Sequence, residues 1–201
     1  MIKSFFRKRI SCLLTLKDGR LALSNEEGFF AIYNDKDFTK IDLSLKFEYS
    51  ISSFIQLHDE KIIICSRDKN NMKIIKLNNK NQYEIIQEII LIGSNYYLDY
   101  DFKVIESKND ELIVIFKWNY GKSQLERWKL NKSNKYELCT SIKANEDLDL
   151  YGILKLNEEE FVVVQEEKRY TTHPYIHEEK LVFRAFSTLK EISRIGNIKI
   201  N

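Results

Sequence analysis

An all-β fold built from one four-strand unit repeated along the chain is what this sequence predicts, and three observations carry it. A six-residue turn pattern recurs four times, as Leu16 to Leu21, Leu57 to Ile62, Ser107 to Leu112 and Leu156 to Phe161. Every copy lies among short apolar runs that come in the same order, and a fixed period of about 40–50 residues is the mark of a repeat architecture. Helix signals are scarce, and the single proline is Pro174.

The strand before each turn, strand a, reads from Ile10 to Leu16, Ile51 to Leu57, Phe102 to Ser107 and Tyr151 to Leu156. Strand b follows the turn as Leu21-Ala22-Leu23, Ile62-Ile63-Ile64, Leu112 to Ile115 and Phe161 to Val164. These are continuous apolar runs, the pattern of a strand covered on both faces. Strand c, as Phe29 to Tyr33, Met72 to Leu77, Leu125 to Leu130 and Leu181 to Phe186, is interrupted by charges such as Lys73 and Arg127. Strand d, as Tyr83 to Ile85 and Tyr136 to Ile142, mostly alternates, so one side of it meets water. The fourth copy, Leu189 to Ile195, spaces its apolar residues by three and fits a strand or a helical turn.

Buried b and half-wet d are what result when four-stranded antiparallel sheets stack face to face around an axis with d outermost, the β-propeller arrangement. A sandwich uses similar strands but gives no reason for a four-strand unit to repeat. The expectation is one all-β propeller domain over 1–201, with blades at approximately 9–47, 51–90, 102–142 and 151–195.

The run from Cys12 to Ser24, with Ser66-Arg67-Asp68 followed by Met72 to Leu77, resembles a blade of the WD-repeat family. In that family an Asp of the b-to-c turn helps to hold a Gly-His pair and a Trp. Asp68 matches that place and Glu26 stands at its equivalent, but the chain has no Gly-His and no Trp-Asp pair, Trp128 coming closest. The resemblance therefore implies the fold and a scaffold role, with apolar packing expected to hold the blades together. The family uses about seven blades. Four units leave open a small closed ring or an open arc of a larger propeller, and an arc would self-associate through its uncovered edges.

Of the 201 residues, 43% are hydrophobic and 31% charged; 32 basic against 30 acidic residues give a formal charge of +2, no basis for attraction to nucleic acid or membrane. Cys12, Cys65 and Cys139 are odd in number and widely spaced, which signals neither disulfides nor zinc and fits a reducing, cytoplasmic setting. Charges at Lys3, Arg7, Lys8 and Arg9 interrupt any signal-like apolar stretch. His173, His177 and Glu178 fall in the longest b-to-c connection, but Pro174 between them forbids the helical geometry that makes spaced histidines converge, so no metal is expected.

All three cysteines fall in predicted strands, where they read as small buried hydrophobes rather than nucleophiles. The turn Ser24 to Gly28 is similar to the Asp-containing turn of sialidase propellers but lacks its Asp. The expectation is a non-enzymatic module with no cofactor.

One feature stands out. In a propeller the b-to-c and d-to-a connections emerge on one face, and here they hold Tyr49, Tyr96, Tyr97, Tyr100, Trp118, Tyr120, Tyr170 and Tyr175, with Asp99, Asp101, Glu146, Asp147 and Asp149. Tyr and Trp dominate binding hot spots because a rigid ring buries area at little entropic cost. The expected partner is a protein or peptide that carries Arg or Lys beside apolar residues, and a glycan-binding or glycan-cleaving propeller is the alternative.

Overall fold

The computed structural model describes residues 8–34, 41–48, 50–66, 71–78, 82–91, 102–107, 110–118, 122–143, 148–157, 161–170 and 177–186. The first sheet comprises β1 (Ile10–Thr15), β2 (Leu21–Asn25), β3 (Phe29–Tyr33) and β4 (Ile41–Lys46). The second comprises β5 (Ile51–Gln56), β6 (Ile62–Ser66), β7 (Asn71–Leu77) and β8 (Tyr83–Ile90). The third holds β9 (Phe102–Glu106), β10 (Glu111–Trp118), β11 (Lys122–Leu130) and β12 (Tyr136–Lys143). The fourth holds β13 (Leu148–Lys155), β14 (Phe161–Tyr170) and β15 (His177–Phe186), and the expected strand from Leu189 to Ile195 lies outside the described residues. Each sheet is an antiparallel meander in sequence order, with no crossover.

The chain forms two compact units, 1–97 and 98–201. In the first, Leu16, Ala22, Phe30 and Ile32 of the first repeat pack against Ile51, Phe54, Ile62 and Ile64 of the second. Phe30 meets Phe54 edge to face, with centroids 5.2 Å apart. In the second, Ile113, Ile115 and Leu125 pack with Leu150, Phe161 and Val163. Strand b is covered on both faces as its continuous apolar runs require: all of Ile62–Ser66 is buried, as are Glu111 to Phe116. Each isoleucine so enclosed is worth about 1.5–3 kcal/mol. Strand d is wetter, and β8 exposes Ile85 and Ile90.

Three expectations need correction. Strands β14 and β15 run for ten residues each, well beyond the apolar runs that announced them, so His177 and Glu178 open a strand instead of lying in a loop. Their added length is charged and has no apolar period, and its register sets Lys168 across from Glu179 and Arg169 across from Glu178. Cys139 is exposed, because a bulge in β12 between the pairs Arg127–Thr140 and Trp128–Leu138 breaks the alternation that would have turned it inward. Apolar packing is also not alone between blades. Lys17 donates from its backbone nitrogen to Gln56 Oε1 (2.7 Å) and from Nζ to the carbonyls of Leu57 (3.0 Å) and His58 (2.9 Å).

The first two a-to-b turns share one construction. Gly19 N donates to Leu16 O (2.9 Å) while Leu16 N donates to Arg20 O (2.8 Å), and Leu57, Glu60 and Lys61 repeat this with 3.1 and 2.8 Å. Gly19, Glu60 and Asp110 take the left-handed conformation (φ 88°, 69° and 60°), as a three-residue hairpin loop requires. The charged residue that follows is fixed each time. Arg20 reaches Asp18 (2.7 Å), Asp42 (3.5 Å) and Tyr83 Oη (2.9 Å), the last across the sheet stack. Lys61, almost wholly buried, pairs with Asp59 at 2.7 Å. Buried Glu111 accepts both Nε (3.0 Å) and Nη2 (2.6 Å) of Arg127.

Candidate interaction surface at the b-to-c ends of the sheets

At the opposite end of the strands the buried residues turn polar. In the first unit Ser24, Asn25, Ser66 and Asn71 are all buried where b ends and c begins. Strand a carries an extra residue beside them, Ser11 in β1 and Ser52 in β5, and β13 of the second unit bulges at the equivalent Tyr151. Bulges re-aim side chains and cluster near functional sites. Here they bring Ser11 Oγ to 2.8 Å from Ser24 Oγ and let Ser52 Oγ donate to Cys65 O at 3.1 Å. Asn25 Oδ1 accepts the backbone N–H groups of Glu27 (3.0 Å) and Phe29 (3.1 Å), which holds the b-to-c turn around Gly28.

A second cluster joins the start of c, the end of d and the connection from the first repeat to the second. Asn71 opens β7, with Lys73 two residues on and so on the same face of the strand. The β7–β8 register places Lys73 directly across from Glu88. Asn71 Nδ2 donates to Glu88 Oε1 at 2.6 Å, the Lys73 ammonium lies 3.8 Å from the same oxygen, and it sits 5.0 Å from the centroid of the buried Phe47 ring. Asn71 is 5% exposed, and its Oδ1 accepts nothing.

In the second unit, Ser123 Oγ accepts Leu150 N at 2.9 Å and so ties β11 to β13. Gln124 Nε2 donates to Glu126 Oε1 (2.6 Å) and Ser141 Oγ (2.5 Å), and Trp128 Nε1 donates to Glu126 Oε2 (3.0 Å). Glu126 is fully buried, and loss of solvation pushes its carboxyl above the usual glutamate range despite those two donors. The group is thereby kept neutral more readily than a surface glutamate, but sealed from solvent it meets no substrate.

The aromatic residues expected on this surface divide. Tyr49, Tyr96, Tyr97, Asp99, Tyr100, Asp101, Tyr120, Tyr175, Glu146 and Asp147 lie outside the described residues. Trp118 and Tyr170 are not loop residues: they end β10 and β14, paired with Lys122 and His177, because the b–c hairpins zip further than their apolar cores. Asp149 likewise belongs to β13, across from Glu166. Trp118 and Tyr170 still stand at the b-to-c ends of their sheets. Sequence reasoning missed Phe47, Asn71, Lys73 and Glu88. An Asn, then a Lys, at the head of strand c was the available signal.

No protein-family model matches the sequence, and no curated protein matches it. Solved structures do. The chain is similar to the C-terminal WD40 domain of Sif2 (19% identity, TM-score 0.57, covering 77% of this chain and 42% of that one). It is also similar to the β-propeller domain of Cps50 (Swd1) from Myceliophteria thermophila (9% identity, TM-score 0.59, 81% and 49%). A third likeness is to the periplasmic gluconolactonase PpgL of Pseudomonas aeruginosa (8% identity, TM-score 0.61, 88% and 57%). The chain has the β-propeller fold, shared with WD40 domains, and it spans about half the length of the structures it matches.

Proposed function

We propose that the chain is a non-enzymatic interaction module that binds a protein or peptide through the b-to-c and d-to-a ends of its sheets. The observation that carries this reading is the asymmetry along the strands. Among the described residues, one end carries ion pairs with a largely buried member, while the other, whose ion pairs Lys8–Glu27 and Arg9–Glu26 are solvent-exposed, ends in buried polar groups, bulges and aromatic residues. Polar groups gathered at one end are suited to fix the orientation of an incoming backbone, and Trp118, Tyr170 and the tyrosines of 96–100 to supply area. The near-neutral charge favours neither nucleic acid nor membrane, and the proposed setting is cytoplasmic.

The test is selection of binding peptides from a random display library on the whole chain. Tyr97→Ala and Trp118→Ala should each weaken the selected peptides by about 1–3 kcal/mol, the range of anchor residues, with little change in melting temperature. Lys132→Ala, in the exposed β11–β12 turn, should leave binding unchanged. Binding lost in the Lys132 variant and kept in both aromatic ones would place the surface at the wrong end. Selection of glycans from an array in place of peptides would favour the alternative.

A further inference from the structure

The cluster of Phe47, Asn71, Lys73 and Glu88 offers acceptors and an aromatic face, and the cation inside it is poorly held. At 3.8 Å the Lys73–Glu88 pair is too long for a hydrogen bond, and the ammonium has no hydrogen bond among the described residues. Asn71 Oδ1, in a side chain nineteen parts in twenty buried, lacks a donor among the described residues. The Asn71 amide cannot turn to cure this without losing the 2.6 Å bond from Nδ2 to Glu88. A buried acceptor without a donor is a standing cost that a ligand can remove.

We propose that this niche is the anchor site for an arginine side chain of the partner, which displaces the Lys73 ammonium into solvent. A guanidinium is planar and carries five donors, so it can meet Glu88 through two parallel N–H bonds, turn a further N–H toward Asn71 Oδ1 and stack on Phe47. An ammonium is a compact point charge that cannot satisfy all three groups at once. Glu88 is half exposed and Lys73 about a quarter exposed, so the niche opens to solvent and the lysine stem has room to swing away. The niche lies at the d-to-a and b-to-c end, so this inference rests on the interaction reading and names the chemistry that the partner presents there.

The test is titration of the whole chain with N-acetyl-arginine methylamide, followed by NMR of the Asn71 side-chain amide. The lysine and citrulline analogues serve as controls. The amide should shift saturably with the arginine probe, at least tenfold more weakly with the lysine probe, and not with citrulline. Lys73→Met keeps the apolar stem and removes the competing charge, so it should tighten arginine binding several-fold, and Glu88→Gln should abolish it. An unshifted amide, equal shifts with arginine and citrulline, or a Lys73→Met protein that binds no tighter would overturn the assignment. The probe is independent of any selected peptide. Arginine bound in the niche with no peptide selected retires the interaction reading alone, and peptides selected without any arginine effect retire the niche alone.

Discussion

The two ends of the same strands are built differently. At the a-to-b end the charged residue that follows each of the first three turns is satisfied by a partner a few residues away or on the adjoining strand: Arg20 by Asp18, Lys61 by Asp59, Glu111 by Arg127. At the b-to-c end of the first unit the buried groups Ser24, Asn25, Ser66 and Asn71 are uncharged, and among the described residues Asn71 Oδ1 and Asn25 Nδ2 are left without partners. Charges fixed in pairs stabilise one arrangement of the chain, whereas unsatisfied buried dipoles cost free energy that a bound molecule can return. On the proposed reading, folding falls to one end and recognition to the other.

The largest expected effect falls between the two. Ile63→Asp places an unpaired charge in the middle of fully buried β6, and at a cost of several kcal/mol it should abolish cooperative folding. A soluble mutant with a sharp urea transition would show that the stack does not depend on strand b. At the a-to-b end, Arg20→Ala removes contacts to Asp18, Asp42 and Tyr83 together. Because the side chain is one-fifth exposed, the loss should be about 2 kcal/mol in chemical denaturation. A loss below that of Lys73→Met would erase the distinction between the ends.

pH separates the a-to-b ion pair from the buried carboxyl of Glu126, in the middle of β11, by sign. The Arg20 guanidinium donates to Asp18 and holds that carboxyl below the usual aspartate range. The stabilisation is present above the unfolded value near pH 4 and lost as pH falls through the lower folded value. Glu126 has the reverse shift. Its folded form holds the proton to higher pH than the unfolded chain does, so stability is greatest below the unfolded value, near pH 4.3, and is lost as pH rises through the higher folded value. Urea titrations from pH 2 to 8 should show Arg20→Ala removing the acid-side loss and Glu126→Gln removing the decline at higher pH. The same slope in both variants would contradict the assignment.

The smallest effect concerns the turns. Glu60 and Asp110 stand where the first turn has Gly19, all with positive φ. Glu60→Gly should stabilise by at most about 1 kcal/mol, and Asp110→Gly by less, since Asp tolerates the left-handed region better than Glu. Thermal melts resolve the order, and a destabilised Glu60→Gly protein would mean that the turn is held by its side chain.

Much of this fold was legible because burial on both faces forces strand b to be apolar throughout, and Ile62-Ile63-Ile64 or Leu112 to Ile115 cannot be mistaken for loops. The a-to-b turns were legible for the same reason, being polar interruptions of fixed length. What hid was structure with no apolar period. The charged extensions of β14 and β15 are defined by their mutual register, which leaves no mark on either strand alone. The bulges at Ser11, Ser52 and Tyr151 follow from register, and so does the meeting of Lys73 with Glu88. Trp118 and Tyr170 were singled out for their chemistry and misplaced by a residue or two, since the end of a hairpin depends on both strands.

Amide hydrogen exchange on the whole chain, alone and saturated with a peptide selected on it, bears most directly on the division of labour between the ends. Protection should rise at the b-to-c and d-to-a ends, at Asn25 to Gly28, Phe47 and Asn71, and stay unchanged in the a-to-b turns at Lys17 to Arg20 and His58 to Lys61. Protection gained in those turns, with the b-to-c ends unaffected, would contradict the account.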